Sequence, residues 1–135
     1  MAKQVITAPQ IGGTYSTTTA HGTKAGGFVF VTGQVANKSG SDPLKRPDEI
    51  GEMGSIEQQT VQVLENIKAV LAAAGTSFDQ VVKRNVYLTH LGDFKAVYTI
   101  MERYFPSKVA STGVLTGLIP ASARVEIDVI AVIPE

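Results

Sequence analysis

The sequence contains no cysteine and only two histidines, His21 and His90. Without cysteine, the chain has no disulfide framework, no thiol nucleophile and no thiolate metal site. The two histidines do not stand at the spacing of a metal-binding pair, so a metal centre has little support. The sequence also lacks a phosphate-binding loop, a dinucleotide fingerprint and a G-x-S-x-G motif. We therefore expect neither a metal nor an organic cofactor.

Neither sign of charge is in excess, because 12 lysine and arginine residues balance 12 aspartate and glutamate residues. A neutral total gives no electrostatic footprint for nucleic acid or for an acidic membrane surface. No apolar run approaches the ~20 residues of a membrane-spanning helix, and the N-terminal segment lacks the apolar core of a signal peptide. We expect a soluble cytoplasmic protein that binds neither nucleic acid nor membrane, with one domain over residues 1–135.

One long amphipathic helix is predicted over 55–75. Ser55 can cap its N-terminus, and Gln58, three residues later, completes a capping box. Apolar side chains recur at helical spacing and define one buried face. Gly75 is typical of the left-handed residue that ends a helix.

A second helix is predicted over 93–105, with Asp93 as N-cap and Pro106 as the stop. The remaining segments are rich in valine, isoleucine and aromatic residues and are bounded by glycine, proline and serine, as strands are. The order of these elements predicts an α/β (α+β) fold in which two helices cover one face of a mixed sheet. The predicted strands are 27–36, 80–90, 113–119 and 123–133, with shorter candidates at 4–7 and around 14–22.

Two of these strands are apolar on both alternating sets of side chains, at Phe28–Val31 and at Val129–Ile133. Two helices can cover only one side of a five- or six-stranded sheet, so the other side requires a second cover. Another copy of the same sheet in a closed symmetric assembly would supply it. The alternative is an apolar edge that loops shield.

The last predicted strand places Arg124, Glu126 and Asp128 on one face, with the two carboxylates roughly 7 Å apart. One interpretation is a solvated outer face with Arg124 pairing across it. The other is an acid in a partly enclosed cleft, where it can polarise a water molecule. Tyr15, in a glycine-rich loop, could likewise stack on a ligand or fill a surface gap.

Five blocks of the sequence stand in a familiar order and spacing: APQIGGTYS, FVFVTGQVA, EQQTVQVLENIKAVLAAAG, DQVVKRNVYLTHLGDF and IPASARVEIDVIAV. Together they resemble the RidA family of reactive-intermediate (enamine/imine) deaminases, also called YjgF or L-PSP proteins, over almost the whole chain. The resemblance implies a chorismate-mutase-like fold with a mixed six-stranded sheet, and a homotrimer with ligand clefts between subunits. In active members, a 2-imino or 2-enamino acid is hydrolysed to the 2-keto acid and ammonia without a metal or cofactor.

The resemblance also implies roles for individual residues. Glu126 matches the glutamate that positions the water, and Gly33 matches a turn whose backbone contacts the ligand. Tyr15 matches a tyrosine that lines the cleft, and its neighbour Ser16 is a further candidate for ligand binding. Glu126 and Tyr15 are therefore the candidate catalytic residues.

The sequence departs from the family where the arginine that binds the substrate carboxylate should be. Ser111 occupies the arginine position of the Pro-Ala-Arg-Ser motif, Tyr98 replaces a frequent asparagine, and the polar connection 37–54 is several residues longer than usual. A hydroxyl cannot replace a bidentate guanidinium–carboxylate pair. The substrate could lack a carboxylate at that end, another cation could reach in, or deaminase activity could be lost while the cleft still binds. Candidate cations are Lys45, Arg46 and Lys108.

Three functions remain open at this stage. The first is cofactor-free hydrolysis (deamination) or tautomerisation of a small imine- or enamine-like metabolite other than the usual 2-imino acids. The second is non-catalytic binding or sensing of a small metabolite. The third is RNA cleavage, an activity attached to the family's name, which the neutral charge and the absence of paired acid–base histidines disfavour.

Overall fold

The computed structural model describes residues 2–37 and 53–135. Within these ranges the chain forms six strands and two α-helices, together with two short 3₁₀ turns. The strands are β1 (Gln4–Ile6), β2 (Gly22–Ala25), β3 (Phe28–Gln34), β4 (Val81–Leu88), β5 (Ala110–Leu115) and β6 (Val125–Val132), and the helices are α1 (Ile56–Ala74) and α2 (Phe94–Met101).

The six strands form one mixed sheet in the order β1-β2-β3-β6-β4-β5. All neighbouring strands are antiparallel except β4 and β5, which run parallel. Alternate residues of β6, from Val125 to Ala131, are buried on the side where α1 packs, and α2 packs against α1. The predicted architecture, a mixed six-stranded sheet with two helices on one face, is confirmed.

The predicted ends of α1 are confirmed in detail. The Ser55 side chain accepts a hydrogen bond from the Gln58 backbone, and the Gln58 side chain accepts one from the Ser55 backbone. Gly75 follows the helix in the left-handed conformation, with φ of 85°. The buried face includes Leu64 and Leu71, both inaccessible to solvent, so the helix is held by the core as well as by its caps.

The predicted strand around 14–22 is wrong, because β2 begins only at Gly22. The hydroxyl of Ser16 instead bonds to those of Thr18 and Thr19, a local pattern that competes with a strand ladder. The strand predicted at 113–119 is displaced, since β5 begins at Ala110 and ends at Leu115. Its limits follow from its parallel pairing with Lys83–Leu88 of β4.

The face of the sheet opposite the helices, which we call the open face, carries exposed apolar side chains. Phe28 and Phe30 of β3 are 40% and 44% exposed, and their partners in the ladder on β6 are Val132 and Ile130. Both helices lie on the other side of the sheet, so these aromatic side chains stay exposed. No helix among the described residues combines the length and apolar character needed to cross a bilayer.

Candidate functional site

Glu126 lies in the middle of the sheet, on the open face of β6. Tyr87 of β4 stands opposite it in the antiparallel register, and β3 passes on the other side. The pairing of β3 with β6 is irregular between Val31 and Gln34. This bulge changes the local register and brings the β3 backbone against the glutamate.

Gly33 gives the carboxylate of Glu126 the room it occupies. A Cβ atom on Gly33 would overlap that carboxylate, because its closest neighbours would be Oε2, Cδ and Cγ of Glu126. Any side chain at position 33 would therefore push the carboxylate aside. Gly33 lies within β3 at this bulge and not in the turn that the resemblance implied, and a glycine is needed there for close approach of the backbone.

The surroundings of Glu126 favour its protonated form. Burial raises the pKa of the Glu126 carboxyl, and the nearby charge of Asp128 raises it further. Asp128 itself accepts a hydrogen bond of 2.8 Å from Asn85 Nδ2. A carboxylate in such surroundings is a better base than one in water, which favours the partly enclosed cleft over the solvated face.

Tyr15 lies close enough to Glu126 for the charge of Glu126 to affect the pKa of the Tyr15 phenol. Burial raises the pKa of the Tyr15 phenol, the charge of Glu126 adds to this, and the neighbouring side chain of Asn37 acts in the opposite direction. The hydroxyl of Tyr15 and Oδ1 of Asn37 are both buried without a well-formed hydrogen bond to the described residues. The side chains of Tyr15 and Asn37 are neighbours that interact with each other, so each polar atom is only weakly satisfied within the described part of the chain.

Ser16 has a different environment from its neighbour Tyr15. Its hydroxyl lies 2.6 Å from that of Thr19 and accepts a hydrogen bond from the backbone of Thr18. These bonds hold the hydroxyl inside its own loop. Ser16 therefore shapes the segment that presents Tyr15.

Ser111 and Tyr98 belong to a second group of residues, on the helix-covered side of the β4–β5 edge. Ser111 stands opposite Arg84 in the parallel ladder, and its hydroxyl accepts a hydrogen bond of 2.9 Å from Arg84 Nε. The guanidinium carbon of Arg84 lies 4.7 Å from the ring centre of Phe105 and 5.7 Å from that of Tyr98. A Cβ on Gly113 would lie 2.9 Å from the Tyr98 hydroxyl.

Arg84 was not among the cations that the sequence suggested for the neighbourhood of Ser111. Of the three cations predicted from the sequence, Lys45 and Arg46 lie outside the described residues. Lys108 lines the same cavity as Arg84. The available signal was the parallel pairing of β4 with β5, which sets Arg84 beside Ser111. That register cannot be derived from spacing along the chain.

The residues around Glu126 and the residues around Ser111 do not meet within one chain. Glu126 faces Tyr87 of β4, whereas Ser111 faces Arg84, three residues away on the same strand. An odd separation along a strand places the two side chains on opposite faces of the sheet. A site that uses both groups therefore requires a second copy of the chain.

Arg124 takes no part in the face that holds Glu126, contrary to the interpretation of a solvated face with a pair across it. It precedes β6, and its guanidinium forms bonds of 2.6 Å and 3.0 Å to the carboxylate of Asp93. Asp93 stands at the N-cap position of α2 without making a side-chain capping bond. The predicted N-cap position is therefore confirmed, but its carboxylate binds Arg124 and does not cap the helix.

Both histidines are poorly placed for acid–base chemistry. His21 is buried, with Nδ1 accepting from the backbone of Ala8 and Nε2 donating to the carbonyl of Gly12. His90 is exposed next to Thr89. Within the described ranges, no three acidic or histidine side chains cluster as metal ligands would.

Comparison with known proteins is consistent with this geometry. Residues 5–133 match the family model described as Endoribonuclease L-PSP. A RutC family protein of Pyrococcus abyssi is 40% identical over 97% of this chain and 98% of its own length. The crystal structure of RidA from a Psychrobacter species has a TM-score of 0.78 and 34% identity, covering 96% of this chain and 99% of that one. Escherichia coli TdcF with bound serine has a TM-score of 0.80 and 26% identity, covering 96% and 98%.

Proposed function

Because the chain belongs to the L-PSP family, that of the RidA and RutC proteins, we propose that it hydrolyses a small imine- or enamine-like metabolite. The reaction takes place in clefts between the subunits of a homotrimer and requires no cofactor. The observation that carries this proposal is the carboxylate of Glu126, partly buried against the backbone of Gly33 beside the hydroxyl of Tyr15.

Glu126 acts as the general base in this mechanism. Its carboxylate takes a proton from a water molecule while the water oxygen attacks the imine carbon, which gives a carbinolamine. Glu126 returns this proton to the nitrogen and then passes on the hydroxyl proton of the carbinolamine to the same nitrogen. As the second proton is transferred, the carbon–nitrogen bond breaks, and a carbonyl compound and ammonia leave. The raised pKa of Glu126 suits the first step, because it strengthens the base that takes the proton from water.

Tyr15 and Gly33 position the ligand in this scheme. The Tyr15 hydroxyl makes no well-formed hydrogen bond among residues 2–37 and 53–135, and Asn37 is its neighbour. A turn away from Asn37 would let it donate to the substrate nitrogen or to the developing oxygen. The backbone at Gly33 lies against the Glu126 carboxylate and forms one wall of the same space. Tyr15 is therefore the second candidate for a direct role in the reaction.

A trimer is supported by two features of the sheet. The open face leaves Phe28 and Phe30 exposed, and another subunit would bury them. The group around Ser111 lies on the opposite face from Glu126, so a neighbouring copy is needed to combine them. A cleft between subunits meets both requirements.

The test is turnover by purified Glu126→Gln. Amino acid-derived 2-imino acids, generated in situ, and uncharged imine analogues are supplied to the wild type and the variant, and ammonia and carbonyl products are measured. We expect the variant to lose roughly 10²- to 10⁴-fold in rate, the usual contribution of a positioned base. Glu65→Gln, an exposed carboxylate on α1, is the control and should keep full activity. Equal rates for the wild type and Glu126→Gln would refute the proposal.

A second candidate is non-catalytic binding of a small metabolite, which the serine at position 111 favours. The TdcF relative, whose structure contains serine, supports a ligand of that size. Saturable stabilisation by such a ligand, with the ligand recovered unchanged, would support this candidate. RNA cleavage is not favoured, because the ring nitrogens of His21 are both occupied in the core.

A further inference from the structure

We propose that Arg84 binds the carboxylate of the substrate, so that the anion-binding guanidinium comes from β4 and not from β5. This inference rests on the proposed function for the location of the cleft, and it narrows the ligand to a small carboxylic acid. Of the three alternatives that Ser111 leaves open, it selects the one in which another cation reaches in, and it assigns that role to Arg84.

The position of Arg84 is fixed by contacts on three sides. Its backbone pairs with Ser111 in the parallel ladder, and its Nε donates to the Ser111 hydroxyl at 2.9 Å. The plane of the guanidinium lies near the face of Phe105, at 4.7 Å from the ring centre. A guanidinium held in this way is pre-organised for a planar anion.

The remaining donors of Arg84 are free for a ligand. Only Nε is bonded to a described residue, and no acidic side chain in that part of the chain lies within ion-pair distance of the guanidinium. The two terminal nitrogens together form the fork that pairs with both oxygens of a carboxylate. Partial burial lowers the pKa of Arg84, so the charge has lost part of its hydration, which a bound anion would replace.

A cavity of about 490 Å³ opens beside the guanidinium. Tyr98, Phe105 and Pro106 supply apolar walls, Lys108 brings a second positive charge, and Glu102 is the one carboxylate in the lining. The volume suits a small metabolite. The walls suit the short apolar side chain of such an acid.

Two other cations near this edge of the sheet are already engaged. Lys83 donates to the Thr112 hydroxyl at 2.6 Å, on the opposite face, and Arg124 is paired with Asp93. Arg84 is therefore the cation that combines a fixed position, open donors and contact with Ser111. Ser111 acts as a positioning residue for it.

The test measures binding without turnover, by titration calorimetry with pyruvate, its uncharged amide pyruvamide, and inorganic phosphate. We expect the wild type to bind pyruvate and to bind pyruvamide at least tenfold more weakly. Arg84→Met should weaken pyruvate binding about 10- to 100-fold, as expected for loss of a charged hydrogen-bonding pair. Arg84→Lys keeps the charge without the fork, so its affinity should be intermediate.

A stricter test exchanges the residues at positions 84 and 111. Arg84→Ser combined with Ser111→Arg moves the guanidinium to the neighbouring strand and should recover most of the affinity that Arg84→Ser alone loses. Recovery would support the inference independently of any loss of folding in the single variants. Unchanged pyruvate affinity in Arg84→Met and Arg84→Lys, or equal binding of acid and amide, would overturn it. Phosphate binding more tightly than pyruvate would overturn the assignment to carboxylates.

The two proposals fail in different ways. If Arg84 controls pyruvate affinity but no imine is hydrolysed, the inference stands and the catalytic proposal falls. If Glu126 controls turnover while Arg84→Met leaves KM and pyruvate affinity unchanged, the catalytic proposal stands and Arg84 is excluded.

Discussion

Glu126 combines a cost to stability with the chemical use proposed for it. Burial and the charge of Asp128 both act against its ionised form, so folding the chain at neutral pH places a carboxylate where it is less stable than in water. Gly33 makes this arrangement possible, because it leaves space for the carboxylate. Strain of this kind is common at catalytic positions.

Glu126→Gln should therefore increase the free energy of unfolding at neutral pH. The folded-state pKa of Glu126 lies above its unfolded value, so the wild type is penalised when the group is ionised, and this penalty disappears as the pH falls below the ordinary glutamate pKa of about 4.3. The difference in free energy of unfolding between Glu126→Gln and the wild type should therefore shrink as the pH falls. Urea unfolding from pH 4 to pH 8 measures it, with Glu65→Gln as the control for loss of one negative charge. A variant less stable than the wild type at pH 7 would contradict this prediction.

Single residues were predicted from the sequence where the pattern is local. Strand alternation placed Glu126 and Asp128 on one face, and the capping box identified the start of α1. Whether Glu126 faces solvent or a cleft depends on the β3 bulge beside it, which periodicity does not encode. Arg84 was missed because its relation to Ser111 exists only across two paired strands.

At the scale of elements, the N-terminus of α2 is tied to the start of β6. The carboxylate of Asp93 is nearly buried, and it binds Arg124, whose side chain is 40% exposed. Gln59 of α1 accepts from the Arg124 backbone at 2.8 Å. Both helices are thereby linked to the strand that carries Glu126.

Asp93→Ala should destabilise the protein by about 1.5–3 kcal/mol, the range for hydrogen bonds to charged groups. The pair is half exposed on the arginine side, so the full cost of breaking a buried pair is not expected. Asp93→Ala, Arg124→Ala and the double variant form a cycle that isolates the coupling by urea unfolding. A coupling energy near zero would show that the two side chains act independently.

For the whole molecule, the arrangement of layers followed from the sequence more reliably than the limits of individual strands. Alternating strand and helix signals gave a sheet with two helices on one face, and the structure confirms it. The limits of β5 were displaced because its pairing with β4 determines where it begins. The trimer and the cytoplasmic location stay predictions.

The trimer is tested through the open face. Phe30→Glu places a charge in the middle of that face, and we expect it to give monomers and to abolish turnover, because each cleft needs two subunits. Light scattering during gel filtration measures the mass, which should be three times that of one chain for the wild type. Val61→Glu changes an exposed apolar residue on α1 and should remain trimeric. A monomeric wild type would refute the proposed assembly.

The bond between Arg84 and Ser111 affects how relatives of this protein should be compared. Position by position, a serine in place of an arginine counts as the loss of a charge. In space, a guanidinium lies one strand away and is bonded to that serine. Classifying such sequences by one alignment column would separate proteins that carry the same charge at this edge of the sheet, whereas scoring both strands together would keep them in one group.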